Sequence, residues 1–208
     1  MTHFATLVLV PNPHIGLAPL PVVESVIDRL LAPYEEKDEW GGEGTRWDWY
    51  QIGGRFTGLL DGYDPTTDPA NFETCRYCEG TGVTTQAVAN EYPAYQDRVG
   101  MPCIQCNVGY DDIRQPFPGK MLRWNYQPHA GDIVPARELD IPKMRYMPSS
   151  VVTPDGEWHE QYRLGLFVSH LPKENGDADI DDESWRQRVI HLIDQHPDTI
   201  AVLVDCHV

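Results

Sequence analysis

Apolar and polar positions divide the chain into blocks with different periods. Residues 4–10 (Phe-Ala-Thr-Leu-Val-Leu-Val) form an apolar run bounded by Pro11 and Pro13, which predicts a buried strand. Val22, Val23, Val26, Ile27, Leu30 and Leu31 recur with helical spacing; Pro21 suits the first turn of that helix and Pro33 marks its end. Glu35 to Glu39 reads as a solvated acidic loop. Residues 46–56 are aromatic and β-prone, and Gly53-Gly54 implies a bend or a close backbone approach. Turn residues fill 61–72. Residues 146–153 and 157–168 read as a hairpin around Pro154-Asp155-Gly156. Asp179 to Glu183 supply carboxylates where a helix N-terminus favours them. Trp185, Val189, Leu192, Ile193 and His196 share one face of that helix, which Pro197 ends. Residues 199–206 are apolar on both faces, as in a central strand.

The order strand, helix, aromatic strand, insertion, hairpin, helix, strand predicts an α+β fold. The economical arrangement is a ferredoxin-like βαββαβ sheet with two helices on one face. Its first and last strands would be antiparallel neighbours at the centre. Residues 1–60 and 144–208 would form this core, 72–110 an inserted cysteine module, and 111–143 an irregular, proline-rich connection.

Charge narrows the function. Sixteen Lys and Arg against 32 Asp and Glu give a net charge of −16. That argues against broad nucleic-acid binding, which depends on cations displacing counterions from phosphates. No apolar run reaches the roughly 20 residues a membrane helix needs, and the N-terminal run lacks the basic flank of a signal peptide. The expectation is a cytoplasmic protein without membrane contact, and a strongly acidic surface suits basic partners.

Four of the five cysteines come as two pairs, Cys75-Arg-Tyr-Cys78 and Cys103-Ile-Gln-Cys106. Two CxxC turns can close a tetrahedral sulfur cage around one structural zinc ion. Glycines after the first pair, Gly80 and Gly82, would let backbone amides turn toward the sulfurs. Two disulfides are the rival; an odd cysteine count and no secretion signal weigh against them. Thioredoxin-like chemistry uses one CxxC at a strand-to-helix junction, which differs from this pattern. The segment Cys75-Arg-Tyr-Cys78-Glu-Gly80-Thr-Gly82 resembles the CxxCxGxG repeat of the DnaJ-type zinc-finger domain. The second pair departs from it, with Val108 and Tyr110 where the repeat has glycines. That family carries four repeats and two zincs; this chain has two repeats and lacks the J-domain helix pair. The resemblance implies zinc.

A longer resemblance runs through Met1-Thr-His-Phe4-Ala-Thr-Leu-Val8, Leu31-Ala-Pro-Tyr34, Trp47-Asp-Trp-Tyr-Gln-Ile-Gly-Gly-Arg-Phe56, Gly131-Asp-Ile133, Thr153-Pro-Asp-Gly-Glu-Trp-His159 and Val204-Asp-Cys-His-Val208. These blocks resemble a family of uncharacterised phage and bacterial proteins with an MSHFTVLV-like start, a WDWYxxGGRW segment and a VDCH end. Phe56 stands where the family has Trp. The resemblance implies phage or mobile-element origin, a host-cytoplasm setting and one shared fold.

Two further constellations carry candidate chemistry. Trp47, Trp49 and Tyr50 could stack a planar ligand or anchor a partner while Arg55 grips an anion. The plainer reading is an aromatic core strand with Asp48 paired to an arginine. Asp205 and His207 alternate onto one face of the last strand, with Cys206 on the other. His3 would join them if the first and last strands pair antiparallel, giving a metal site, a general base or only strand-end hydrogen bonds. His159 reads as a surface residue, and His191 and His196 are not spaced as a helical metal pair.

Three functional readings stand. The first is a zinc-stapled, non-catalytic accessory protein that binds a host or phage protein, with acidic surface mimicry as its narrower form. The second is a small-molecule- or nucleotide-binding protein or hydrolase with its pocket between the WDWY strand and Asp205/His207. The third is a DnaJ-like holdase.

Overall fold

The computed structural model describes residues 3–11, 20–36, 45–107, 117–123, 126, 129–144, 146–161 and 181–208. The sequence readings at 37–39, 108–110, 162–168 and 177–180 lie outside these residues. Chain contacts define two units, residues 1–63 with 128–208, and residues 64–127. In chain order the elements are β1 (His3–Pro11), α1 (Leu20–Leu31), β2 (Trp49–Ile52), β3 (Phe72–Thr74), α2 (Gln86–Glu91), α3 (Ile104–Asn107), β4 (Lys120–Leu122), β5 (Ile133–Pro135), β6 (Ser150–Val152), β7 (Trp158–Glu160), α4 (Asp182–Gln195) and β8 (Thr199–His207).

The larger unit is a mixed α+β fold built on β1 and β8, which pair antiparallel over nine residues each, from His3↔His207 to Pro11↔Thr199. Both are central. The sheet order is β2-β8-β1-β6-β7, and β5 shares the outer edge of β8 with β2. This order is not the ferredoxin-like one. A split βαβ would leave another strand between β1 and the strand it runs parallel to; here β6 pairs directly and in parallel with β1. Burial explains the choice. Ser150-Val-Val152 is buried throughout and takes the inner place, whereas Trp158-His-Glu160 is only half-buried at its ends and takes the edge.

The helices also depart from expectation, because they cover opposite faces. Phe4, Val8, Val10, Val202, Val204 and Cys206 pack with Val23, Ile27, Leu30 and Leu31 of α1. Ala5, Leu7, Leu9, Ala201 and Leu203 pack with Trp185, Val189, Leu192 and Ile193 of α4. Strands apolar on both faces need a cover on each, so one helical layer could not bury them. Asp181 caps α4 by accepting from the Ser184 N–H at 3.0 Å. Residues 133–135, expected to be irregular, pair with Ile200 to Val202, and Pro135 ends that edge strand. Among the described residues, no helix is long and apolar enough to cross a membrane.

The 64–127 unit has less regular structure. β3 and β4 pair antiparallel, α2 is capped by Thr85, and Phe72 meets Phe117 edge to face. Gly119 lies so close to Gly80 that a Cβ there would sit 2.2 Å from the Gly80 carbonyl oxygen.

Candidate metal centre and histidine–aspartate site

The cysteine turns bring four thiols together. Cys75, Cys78, Cys103 and Cys106 are all buried, and their sulfurs lie within 4.8 Å of one another. Cys75 Sγ is 3.9 Å from Cys103 Sγ, and Cys78 Sγ is 3.6 Å from Cys106 Sγ. A tetrahedral thiolate cage with Zn–S of about 2.3 Å has edges of about 3.8 Å, so the donor set fits such an ion. It does not fit disulfides, whose S–S distance is about 2.05 Å; all five cysteines are free. The Gly82 N–H donates to Cys78 Sγ at 3.3 Å, and Gly80 and Gly82 adopt positive φ to make that turn. Burial pushes the Cys75 thiol up to about 11 and raises Cys106 as well. At Cys78 burial acts the same way, but the Gly82 N–H and the neighbouring thiols outweigh it and the value falls. A cation would favour the thiolate at every position, so binding would release protons. Among the described residues this is the one group of three or more Cys, His, Asp or Glu that could hold a metal ion.

A second assembly sits at one end of the larger unit's sheet. The β1–β8 register sets His3 opposite His207 and Ala5 opposite Asp205, all on one face. Asp205 pairs with His3 rather than His207: His3 Nδ1 lies 2.8 Å from Asp205 Oδ1. The second carboxylate oxygen accepts the Arg55 backbone N–H at 2.9 Å. His207 Nδ1 instead lies 2.6 Å from Asp48 Oδ1, so Asp48 meets an imidazole where an arginine was expected. The His207 ring stacks on Trp49, with centroids 5.1 Å apart, and meets His3 edge to face at 4.9 Å.

The WDWYQIGGR segment divides its work residue by residue. Trp47 is buried core, its Nε1–H donating to the Leu31 carbonyl. Tyr50 faces α1 and bonds Asp28, while burial holds its hydroxyl above the usual range. Trp49 is 39% exposed beside His207. Gly54 has φ +54°, and a Cβ there would lie 2.5 Å from Asp205 Cβ and Oδ2. Only glycine lets the chain fold over Asp205 and present the next N–H. Gly53 makes a similar approach to Asp132, a buried carboxyl that accepts the Gly58 N–H at 2.9 Å and that burial raises in pKa. Arg55 itself is exposed.

His3 also lines a cleft of about 660 Å³. Its apolar surface comes from Ala5, Phe56, Met147 and Trp185, and its polar surface from Ser149, Gln161, Asp182, Glu183 and Arg186 among others. Sequence reasoning did not find the contributions of 146–149 and the first turn of α4, because no local signal ties them to β1. His159 is a correction of a different kind. It is 8% exposed, facing α4 from β7, and not a surface residue. Cys206 is fully buried on the α1 side, where burial pushes its thiol up to about 12, a poor setting for a nucleophile. Compared with family models, with curated proteins and with solved structures, the chain finds no match.

Proposed function

We propose that the larger unit binds a small polar ligand in the cleft beside His3 and exchanges a proton with it, while one structural zinc ion orders the 64–127 unit of a phage-type accessory protein. The observation that carries this reading is the His3–Asp205 pair at the cleft. Asp205 is 1% exposed, and its two oxygens face an imidazole nitrogen and a backbone N–H. A carboxylate so placed holds the proton on His3 Nδ1 and leaves Nε2 as the basic nitrogen. The cleft volume lies within the range of about 300–1,000 Å³ typical of small-molecule sites. Four thiolates complete a zinc shell, so water activation is not assigned to the metal.

The same pair favours a second reading, hydrolysis, with His3 taking a proton from an attacking water and Asp205 as a positioning residue. The test is a small-molecule library screened by NMR against the metal-loaded chain, with His3→Gln and Asp205→Asn as variants. Ligands that shift cleft resonances and weaken in both variants support the binding site. Ligands that bind elsewhere, or with unchanged affinity in both folded variants, overturn it. Turnover of a hit that falls in Asp205→Asn through kcat rather than KM would select the hydrolytic form.

A further inference from the structure

The cleft beside His3 holds a second polar group that the proton exchange does not use. Arg186, in the second turn of α4, lines its wall and is half-buried. Among the described residues its guanidinium has no hydrogen bond and no ion pair. The two carboxylates that share the wall are engaged elsewhere. Asp182 Oδ1 accepts from Gln161 Nε2 at 2.7 Å, and Glu183 Oε1 from Gln187 Nε2 at 2.8 Å. Both stand at spacings from Arg186 where helical ion pairs form, yet neither closes one. Both are exposed, so solvent screens their repulsion of an incoming anion. His3 is the other open group. Its side chain is 10% exposed. Nδ1 faces Asp205, and Nε2 has no hydrogen-bond partner among the described residues.

We propose that the cleft takes a small organic acid with two polar ends. Its anionic group sits on Arg186, its apolar body lies against Phe56 and Met147, and an O–H or N–H at its other end donates to His3 Nε2. The proposal rests on the binding cleft assigned above and adds the class of ligand. A guanidinium presents paired N–H donors that match the two oxygens of a carboxylate. An imidazole whose Nδ1 proton is held by a carboxylate presents an acceptor at Nε2, so the group that meets it must donate. A simple carboxylate has no proton to give Nε2; a two-ended ligand does, and about 660 Å³ leaves room for its body. An amine is the rival. It would suit Nε2 and the two carboxylates, but would set a like charge before the unpaired Arg186.

The experiment is NMR titration of the full, metal-loaded chain with three probes on one ring scaffold: para-hydroxyphenylacetate (acid and donor), phenylacetate (acid alone) and tyramine (amine and donor). The hydroxy acid should give saturable shifts of the Arg186 side chain and the His3 ring, and bind most tightly of the three. Arg186→Gln removes a side chain without a partner among the described residues, so the fold should persist. It should weaken both acids by about tenfold through loss of a charged hydrogen bond and leave tyramine unchanged. His3→Phe should bring the hydroxy acid to the level of phenylacetate. Unchanged acid affinity in Arg186→Gln, or no saturable response to either acid, would overturn the assignment. Hydroxy-acid binding indifferent to His3→Phe would overturn the two-ended ligand. Tyramine binding that weakens in His3→Phe while both acids stay silent would sink the acid class alone and leave the cleft site standing. Absence of cleft binding by these probes and by the wider library alike would remove the cleft reading as well.

Discussion

The two units hold themselves together by different means. In residues 1–63 and 128–208, the strands β1 and β8 are buried on both faces, and each face has its own apolar cluster under a helix. In residues 64–127, the cluster is the four cysteines with Tyr77 and Met121 packed against them. Val83, Tyr92, Val99 and Met101 of that unit remain substantially exposed. One unit has an ordinary core; the other has fewer buried apolar side chains among its described residues, and four buried thiols that could hold a metal ion. Small units that cannot bury enough surface commonly use such a staple.

The sharpest way to break the comparison is to remove the metal. Structural zinc contributes about 10–16 kcal/mol in small sites, so a strong chelator, or Cys75→Ser, should unfold the 64–127 unit and leave the α+β unit folded. Circular dichroism together with near-ultraviolet signals from Trp47 and Trp185 would follow the two separately. Within the apolar unit, Leu203→Ala removes a fully buried side chain from the centre of β8. It should cost about 2–5 kcal/mol in denaturant unfolding, with the metal content unchanged.

Gly54→Ala should come next, at about 2 kcal/mol or more, because it combines positive φ with a collision against Asp205. Unlike Leu203→Ala, it should also disturb the His3 Nδ1–H resonance. The smallest effect concerns pH. Burial, the largest influence on His159, lowers its pKa from 6.5. The unfolded chain therefore binds the proton first on acidification, and stability falls as pH drops from 6.5 toward the lower folded value. His159→Gln should flatten that slope, measured by urea unfolding across the window.

Sequence made the long features legible. The apolar runs at 4–10 and 199–206 were readable because buried strands need no alternation, and the CxxC pairs because metal ligands need fixed spacing. The side-by-side placement of Asp205 and His207 followed from the two-residue period of a strand. What could not be read locally was tertiary. The choice of β6 over β7 as the neighbour of β1 depends on how two short hairpin strands differ in burial. The partner of Asp205 depends on register across strands some 200 residues apart in sequence, and His3 rather than His207 meets it. Gly54 signalled a close approach, but only the structure names Asp205 as the group approached. His159 carried no sign of burial because a three-residue strand with one inward position has no period to detect.

The most direct test of the two-unit account is amide hydrogen exchange by mass spectrometry, on the purified chain with its metal content quantified, before and after chelation. The account predicts one zinc per chain. It predicts that chelation removes protection from peptides covering 72–107 and 120–122, while peptides of β1 and β8 keep theirs. Loss of protection in β1 and β8 together with the cysteine unit, or no change in 72–107 when the metal leaves, would contradict it.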